Sequence, residues 1–123
     1  MRIVIADDST LIRDRLQDVL LSFGQVEIVG IFNNGIDTLK ALQTLNPDVA
    51  IIDIKMPGIS GLEVLKEIRK ENKTIQIAIL TLYGSEYYRK QAIEAGADYF
   101  FSKVDDFDKI EVVINEMLNI HTR

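Results

Sequence analysis

The sequence predicts an α/β fold in which five parallel strands form one sheet with helices on both faces. Two observations indicate this fold. Five short apolar runs, rich in β-branched residues, alternate with longer segments of helical periodicity. Within three of these runs, residues 3–5, 49–52 and 77–80 are continuously hydrophobic, as strands are when both of their faces are covered. Right-handed crossovers then produce a doubly wound (βα)₅ sheet, for which the strand order 2-1-3-4-5 is expected.

The predicted strands cover residues 2–6, 26–32, 49–52, 75–80 and 99–101. Between them, apolar residues recur every three or four positions, which is the spacing of one helix face. Gly24 is expected to end the first helix, Pro47 lies just beyond the second, and Gly96 occupies the position of a C-cap glycine after the fourth. The fifth helix is expected to begin in the aspartate-rich turn of Asp105, Asp106 and Asp108.

Length and composition exclude several classes of protein. The 123 residues correspond to a single domain, 1–123, with no room for an output domain. The chain has no cysteine, which excludes disulfides, thiolate metal sites and a cysteine nucleophile. The net charge is −5 and no basic cluster is present, so direct nucleic-acid binding is not expected. The first apolar run is too short for a signal peptide or a membrane span, so a cytoplasmic protein without membrane association is expected.

Polar residues appear abruptly where the predicted strands end. Asp7 and Asp8 follow the first strand, Asp53 follows the third, Thr81 follows the fourth and Lys103 follows the fifth. Because the carboxyl ends of parallel strands share one edge of the sheet, we expect these side chains to lie in one pocket.

This group of side chains fits phosphoryl transfer. Three crowded carboxylates raise one another's pKa unless a cation lies among them, and Mg²⁺ (or Mn²⁺) is usually held by carboxylates together with water and phosphate oxygens. Lys103 and Thr81 can bind phosphoryl oxygens. A carboxylate can be the nucleophile in such a transfer. Asp53 is the favoured acceptor because it stands alone and the turn at Pro57 and Gly58 leaves its end of the strand open.

Each of these residues has a simpler interpretation when taken alone. Asp8 or Ser9 could only cap the first helix, Lys103 could be a solvated surface lysine, and Thr81 could cap a loop. The combination of all of them at one sheet edge favours the functional site.

The residues and their spacing resemble the receiver domain of response regulators, the CheY-like family of two-component signal transduction. The similarity covers essentially the whole chain. Its motifs are Asp7-Asp8, Asp53-x-x-Met56-Pro57-Gly58-x-x-Gly61, Thr81 at the end of the fourth strand, Ala95-Gly96-Ala97-Asp98, and Lys103 after the fifth strand. The resemblance implies a flavodoxin-like, CheY-like three-layer sandwich, which agrees with the (βα)₅ pattern inferred independently.

The resemblance also assigns roles to the acidic residues. It implies that Asp53 accepts a phosphoryl group from the phosphohistidine of a sensor histidine kinase or a phosphotransfer protein. It further implies that Asp8, Asp53 and the backbone carbonyl of Lys55 coordinate Mg²⁺, with Asp7 reaching the ion through water.

A second set of implied roles concerns the response to phosphorylation. Thr81 and Lys103 would bind phosphoryl oxygens, and Phe100 matches the family's aromatic switch position. The change would be relayed through Thr81 and Phe100 to the face formed by the fourth helix, fifth strand and fifth helix, where a target or a second copy of the chain would bind. The chain is then expected to be a signalling switch and not an enzyme, with chemistry limited to accepting one phosphoryl group and slowly hydrolysing it.

Three positions depart from the commonest family pattern or tune it. Val104 replaces a proline that often follows the lysine, so the Lys103–Val104 peptide bond is expected to be trans. Phe100 lacks the hydroxyl of a tyrosine switch. Lys55 and Tyr83 occupy positions that are expected to control the lifetime of the aspartyl phosphate.

Two other functions share parts of this sequence pattern with the switch. A Mg²⁺-dependent phosphohydrolase of the haloacid dehalogenase type uses an aspartate nucleophile, but it needs a second aspartate where this chain has Lys55. A flavodoxin-like cofactor carrier needs a phosphate loop rich in hydroxyls and glycine after the first strand, where this chain has the acidic pair Asp7 and Asp8.

Overall fold

The computed structural model describes residues 1–82 and 84–121. Its strands are β1 (Arg2–Ala6), β2 (Glu27–Phe32), β3 (Val49–Ile52), β4 (Gln76–Thr81) and β5 (Tyr99–Ser102). Its helices are α1 (Thr10–Leu21), α2 (Gly35–Leu45), α3 (Gly61–Arg69), α4 (Glu86–Ala95) and α5 (Phe107–His121). Tyr83, for which the sequence predicts a role in phosphate lifetime, lies outside the described residues. None of the helices in the described part is long and apolar enough to cross a membrane.

The described strands pair in parallel in the order β2-β1-β3-β4-β5, which confirms the predicted topology. Side chains along each strand alternate between two cores because the period of a strand is two residues. In β4, for example, Ile77 and Ile79 pack into the core beneath α2, α3 and α4, whereas Ala78 and Leu80 pack into the core beneath α1 and α5. The molecule is therefore the three-layer sandwich that the sequence predicts.

Local hydrogen bonds explain where the helices begin and end. Ser9, Ser60 and Ser85 are N-caps whose hydroxyl oxygens accept the backbone N–H three residues later. Helix α2 ends at Asn46, whose φ of 47° is left-handed, directly before Pro47. Helix α4 ends at Gly96 with a φ of 108°, which confirms the predicted C-cap.

The prediction that Gly24 ends α1 is wrong. The helix stops at Leu21, and Ser22 is its C-cap. The hydroxyl and the backbone N–H of Ser22 both donate to the carbonyl of Val19, at 2.6 and 3.3 Å, so a side-chain hydrogen bond closes the last turn early. Phe23, which lies beyond the end of the helix, still packs against the core beneath α1 and α5.

Candidate functional site

The predicted site residues do meet at the carboxyl edge of the sheet. Asp7 is 1% exposed, and its Oδ1 accepts a hydrogen bond of 2.9 Å from the backbone N–H of Ser9. Its Oδ2 lies 2.6 Å from the ammonium of Lys103. Asp8 beside it is exposed. Since Ser9 is the N-cap of α1, the capping interpretation holds for Ser9 and not for Asp8.

Asp53 lies at the centre of this edge and is 4% exposed. Its backbone N–H donates to the carbonyl of Ala6 at 2.9 Å, which joins the ends of β1 and β3. Gly61, the first residue of α3, approaches the Asp53 carbonyl so closely that a Cβ there would overlap with it. This contact explains the glycine in the predicted motif, because only a residue without a side chain lets α3 begin so near the acidic loop.

Lys103 bridges the two buried carboxylates. Its Nζ lies 2.6 Å from Oδ2 of Asp7 and 3.0 Å from Oδ2 of Asp53, and the whole residue is 8% exposed. The backbone N–H of Lys103 donates to the carbonyl of Thr81 at 2.9 Å, which ties the ends of β4 and β5 together. Thr81 itself is fully buried. Within the described residues there is no cis peptide bond, so the Lys103–Val104 bond is trans, as predicted.

Burial and neighbouring charges set the protonation of this group. Burial, together with the negative charge of Asp7, raises the pKa of Asp53, and Lys103 and Thr81 only partly oppose this. Burial would lower the pKa of Lys103, but its hydrogen bonds to Asp7 and Asp53 and their negative charges outweigh this effect and raise that pKa above the usual value. Lys103 is therefore a fixed cation at neutral pH.

The remaining negative charge fits a divalent cation. Ligand oxygens of Asp7, Asp8 and Asp53 all lie within 4.8 Å of one another. One ammonium cannot neutralise three carboxylates. In addition, Oδ1 of Asp53 is buried and has no hydrogen-bond partner in the described part of the chain. A buried carboxylate oxygen without a donor is costly, and a hard cation held by oxygen ligands would satisfy it.

A cavity of about 350 Å³ opens above Asp53 and gives access to it. Asp8, Lys55 and Lys103 line it, together with exposed apolar side chains of Leu11 and Leu82. The ammonium of Lys55 also lies 5.8 Å from the centroid of the Tyr88 ring on α4. Lys55 thus lines the cavity above Asp53, and its control of phosphate lifetime stays a prediction.

Another cavity, of about 380 Å³, lies at the opposite edge of the sheet beside Met1 and Pro47. Its lining carboxylate, Asp48, already accepts the backbone N–H of Arg2 at 2.8 Å. The chemistry described above belongs to the smaller cavity, because the cluster of charged side chains is there.

Phe100, the predicted switch position, and its neighbour Phe101 face opposite sides of the sheet. Phe100 and Phe101 are both buried, but Phe100 faces the core beneath α3 and α4, and Phe101 faces the core beneath α1 and α5. Phe100 therefore lies beneath α4, and its role as a switch stays a prediction.

Sequence reasoning missed two arginines near the site. Arg13 donates to the carbonyl of Asp7 at 2.7 Å and to the hydroxyl of Thr10 at 3.0 Å, so it holds the acidic loop from α1. Arg89 covers the ring of Phe100. The spacing of Arg13 on the first turns of α1 could have indicated its role, whereas the Arg89 contact joins two elements and leaves no local sequence signal.

Comparison with known proteins agrees with this geometry. The response regulator receiver domain family matches residues 3–115. A protein-glutamate methylesterase/protein-glutamine glutaminase from Methanospirillum hungatei JF-1 is 36% identical over 120 residues, covering 95% of this chain and 35% of the relative. The DNA-binding transcriptional activator EvgA of Escherichia coli K12 is 30% identical over 119 residues, covering 97% of this chain and 58% of the relative.

Solved structures show the same architecture. A CheY-like response regulator receiver domain protein from Methanospirillum hungatei JF-1 superposes with a TM-score of 0.84 at 28% identity, covering 96% of this chain and 93% of that one. The curated relatives are longer, since this chain spans 35% of the first and 58% of the second.

Proposed function

This chain belongs to the response regulator receiver domain family, and on that premise we propose that Asp53 receives the phosphoryl group that activates it. Receiver domains of response regulators are phosphorylation-activated switches of two-component signalling and take their phosphoryl groups from histidine kinases. The observation that supports Asp53 is its Oδ1, a buried carboxylate oxygen without a hydrogen-bond partner among the described residues. Its other oxygen, Oδ2, is already held by Lys103 at 3.0 Å.

In the proposed transfer an oxygen of Asp53 forms a bond to phosphorus. The bond between phosphorus and the imidazole nitrogen of the kinase phosphohistidine breaks, and its electron pair returns to the nitrogen. Lys103 and Thr81 then bind the phosphoryl oxygens, the first as a fixed cation and the second as a hydroxyl donor. Because Lys103 bridges Asp7 and Asp53 beforehand, it has only to rotate toward the new charge.

Mg²⁺ or Mn²⁺ fits the same pocket. Asp8, Asp53 and the backbone carbonyl of Lys55 would hold the ion, which supplies positive charge to neutralise the carboxylates and the phosphoryl oxygens. Both oxygens of Asp7 already have partners, Ser9 and Lys103, so Asp7 is the carboxylate best suited to act through a water molecule.

The proposed response passes through Thr81 and Phe100 to the face formed by α4, β5 and α5. A target protein or a second copy of this chain would bind there. The chain's own chemistry ends with uptake and slow hydrolysis of the phosphoryl group. The longer relatives include a methylesterase and a DNA-binding activator, so any further output depends on segments or partners beyond the domain described above.

Incubation with acetyl phosphate and Mg²⁺, followed by intact-mass measurement, tests the assignment. We expect one phosphoryl group per chain, stable in acid and labile in base, and none in Asp53→Asn. Asp48→Asn is the matched control at the opposite edge of the sheet and should be phosphorylated like the wild type. Equal phosphorylation of Asp53→Asn would contradict the assignment, and multiple turnover of phosphate esters would favour the hydrolase that Lys55 argues against.

A further inference from the structure

The aromatic switch residue is covered by a cation on α4. Phe100 is 5% exposed, and the guanidinium carbon of Arg89 lies 5.0 Å from the centroid of its ring. A guanidinium within about 6 Å of a ring centroid is attracted by the electrons of the ring face. Arg89 therefore covers the outer side of the Phe100 ring.

Acidic side chains on α4 and in the turn after β5 lie near the Arg89 guanidinium. Its Nε lies 3.6 Å from Oε1 of Glu86, one turn earlier on α4. Hydrogen bonds from the backbone N–H of Ser102 and from Lys109 lower the pKa of Asp106, and the positive charge of Arg89 contributes to this lowering. Ser102 is the last residue of β5 and directly precedes Lys103, the pocket lysine.

Apart from the contact of Arg89 with Phe100, few buried apolar side chains hold α4 in place. Among the described residues of the helix, Ala92 alone is buried. The side chain of Arg89 is 43% exposed, so its contact with Phe100 can form and break without opening the core.

We propose that Arg89 is a positioning residue that keeps Phe100 buried before phosphorylation and thereby prepares the domain for its phosphoryl group. This inference rests on the proposed function, in which the response passes through Phe100, and it takes the arrangement with the ring buried to be the one that binds the phosphoryl group more tightly. When a ligand binds only one of two arrangements, its apparent affinity is the intrinsic affinity multiplied by the fraction of molecules in that arrangement. Loss of the Arg89 contact should lower that fraction, and with it the affinity of the pocket for a phosphoryl group.

Titration with beryllofluoride, a mimic of the phosphoryl group, in the presence of Mg²⁺ tests the proposal. The signals of the Phe100 ring are followed by aromatic ¹³C NMR. Comparison with Phe100→Leu assigns those signals. In Arg89→Ala we expect the ring signals to shift before any beryllofluoride is added, and the titration midpoint to rise about two- to fivefold. Arg89→Lys, which keeps a cation over the ring, should lie between Arg89→Ala and the wild type.

Two control variants separate stacking from charge. Lys90→Ala removes a positive charge from an exposed position of the same helix, and Glu86→Gln removes the ion pair of Arg89 but leaves its guanidinium in place. Both should titrate like the wild type. Arg89→Met, which keeps the length of the side chain, repeats the test if the alanine variant does not fold.

Unchanged ring signals and an unchanged midpoint in Arg89→Ala would overturn the proposal. A midpoint that rises equally in Lys90→Ala would also overturn it, because helix charge and not ring stacking would then be responsible. Failure of the proposed function is recognised separately: the wild type would not respond to beryllofluoride, or Asp53→Asn would respond as the wild type does.

Discussion

Helices α3 and α4 lie side by side on one face of the sheet but are held in different ways. Helix α3 buries Gly61, Val64, Leu65 and Ile68. Among its described residues, α4 buries only Ala92. Under the proposed function this difference has a use, because α3 begins against the loop of the proposed acceptor Asp53 and would hold it in place, whereas α4 could move while exposing little apolar surface.

The two ends of α4 also differ. At its C-terminal end, Arg69 of α3 donates from Nε to the carbonyl of Gly96 at 3.0 Å and pairs with Asp98 at 2.9 Å. In its N-terminal half, Arg89 lies over the ring of Phe100, and Tyr88 packs against the core and lies near Lys55. The C-terminal end of α4 is therefore tied to α3 by hydrogen bonds, whereas residues 86–90 of its N-terminal half include no buried side chain.

The largest expected effect is in the core of α3. Leu65→Ala should lower the free energy of unfolding by about 2–5 kcal/mol, because it removes a fully buried side chain and leaves a cavity. Tyr87→Ala on α4, where the side chain is 66% exposed, should change it by no more than about 0.5 kcal/mol. Urea denaturation measures both, and equal losses would contradict the contrast between the two helices.

A smaller loss is expected where α3 meets the acceptor loop. Gly61→Ala should destabilise by about 1–3 kcal/mol, because its Cβ would overlap with the carbonyl of Asp53 and displace the loop. It should also slow phosphorylation by acetyl phosphate. Gly24→Ala is the matched control: nothing lies within 4 Å of its added Cβ, so it should leave both measurements nearly unchanged. Normal stability in Gly61→Ala would show that α3 does not constrain Asp53.

The smallest of these effects concerns the fixed end of α4. Arg69→Ala should lower the free energy of unfolding by about 1–2 kcal/mol, because the Gly96 carbonyl loses its donor Nε and the Asp98 carboxylate loses its ion pair and keeps only the backbone N–H of Ile77. Lys70→Ala breaks an exposed ion pair with Glu67 and should cost less than about 1 kcal/mol. Chemical denaturation of both variants checks the ranking, and a larger loss for Lys70→Ala would reverse it.

The backbone-level features of this fold were predictable from the sequence. Continuous apolar runs predicted parallel strands, and the parallel topology then brought Asp7, Asp53 and Lys103 to one edge, as the structure confirms. The end of α1 was not predictable, because the hydroxyl of Ser22 competes with the helix through a local hydrogen bond that apolar periodicity does not report. The same limit applies to Arg89, whose contact with Phe100 depends on the packing of α4 against β5.

The lysine bridge was predicted only in part. The sequence placed Lys103 at the pocket and assigned it to phosphoryl oxygens, but it did not predict that Lys103 contacts Asp7 and Asp53 together. Such a bridge depends on the rotamer of a long side chain and on the depth of the carboxylates below the surface, and neither is encoded in residue spacing.

Hydrogen exchange detected by mass spectrometry tests most directly whether Asp53 controls a movable α4 beside a fixed α3. It is measured with and without beryllofluoride and Mg²⁺. In the wild type we expect exchange to change in the N-terminal half of α4 and to stay constant in residues 64–68 of α3. In Asp53→Asn neither helix should change. Equal changes in both helices, or an unaltered response in Asp53→Asn, would contradict the account.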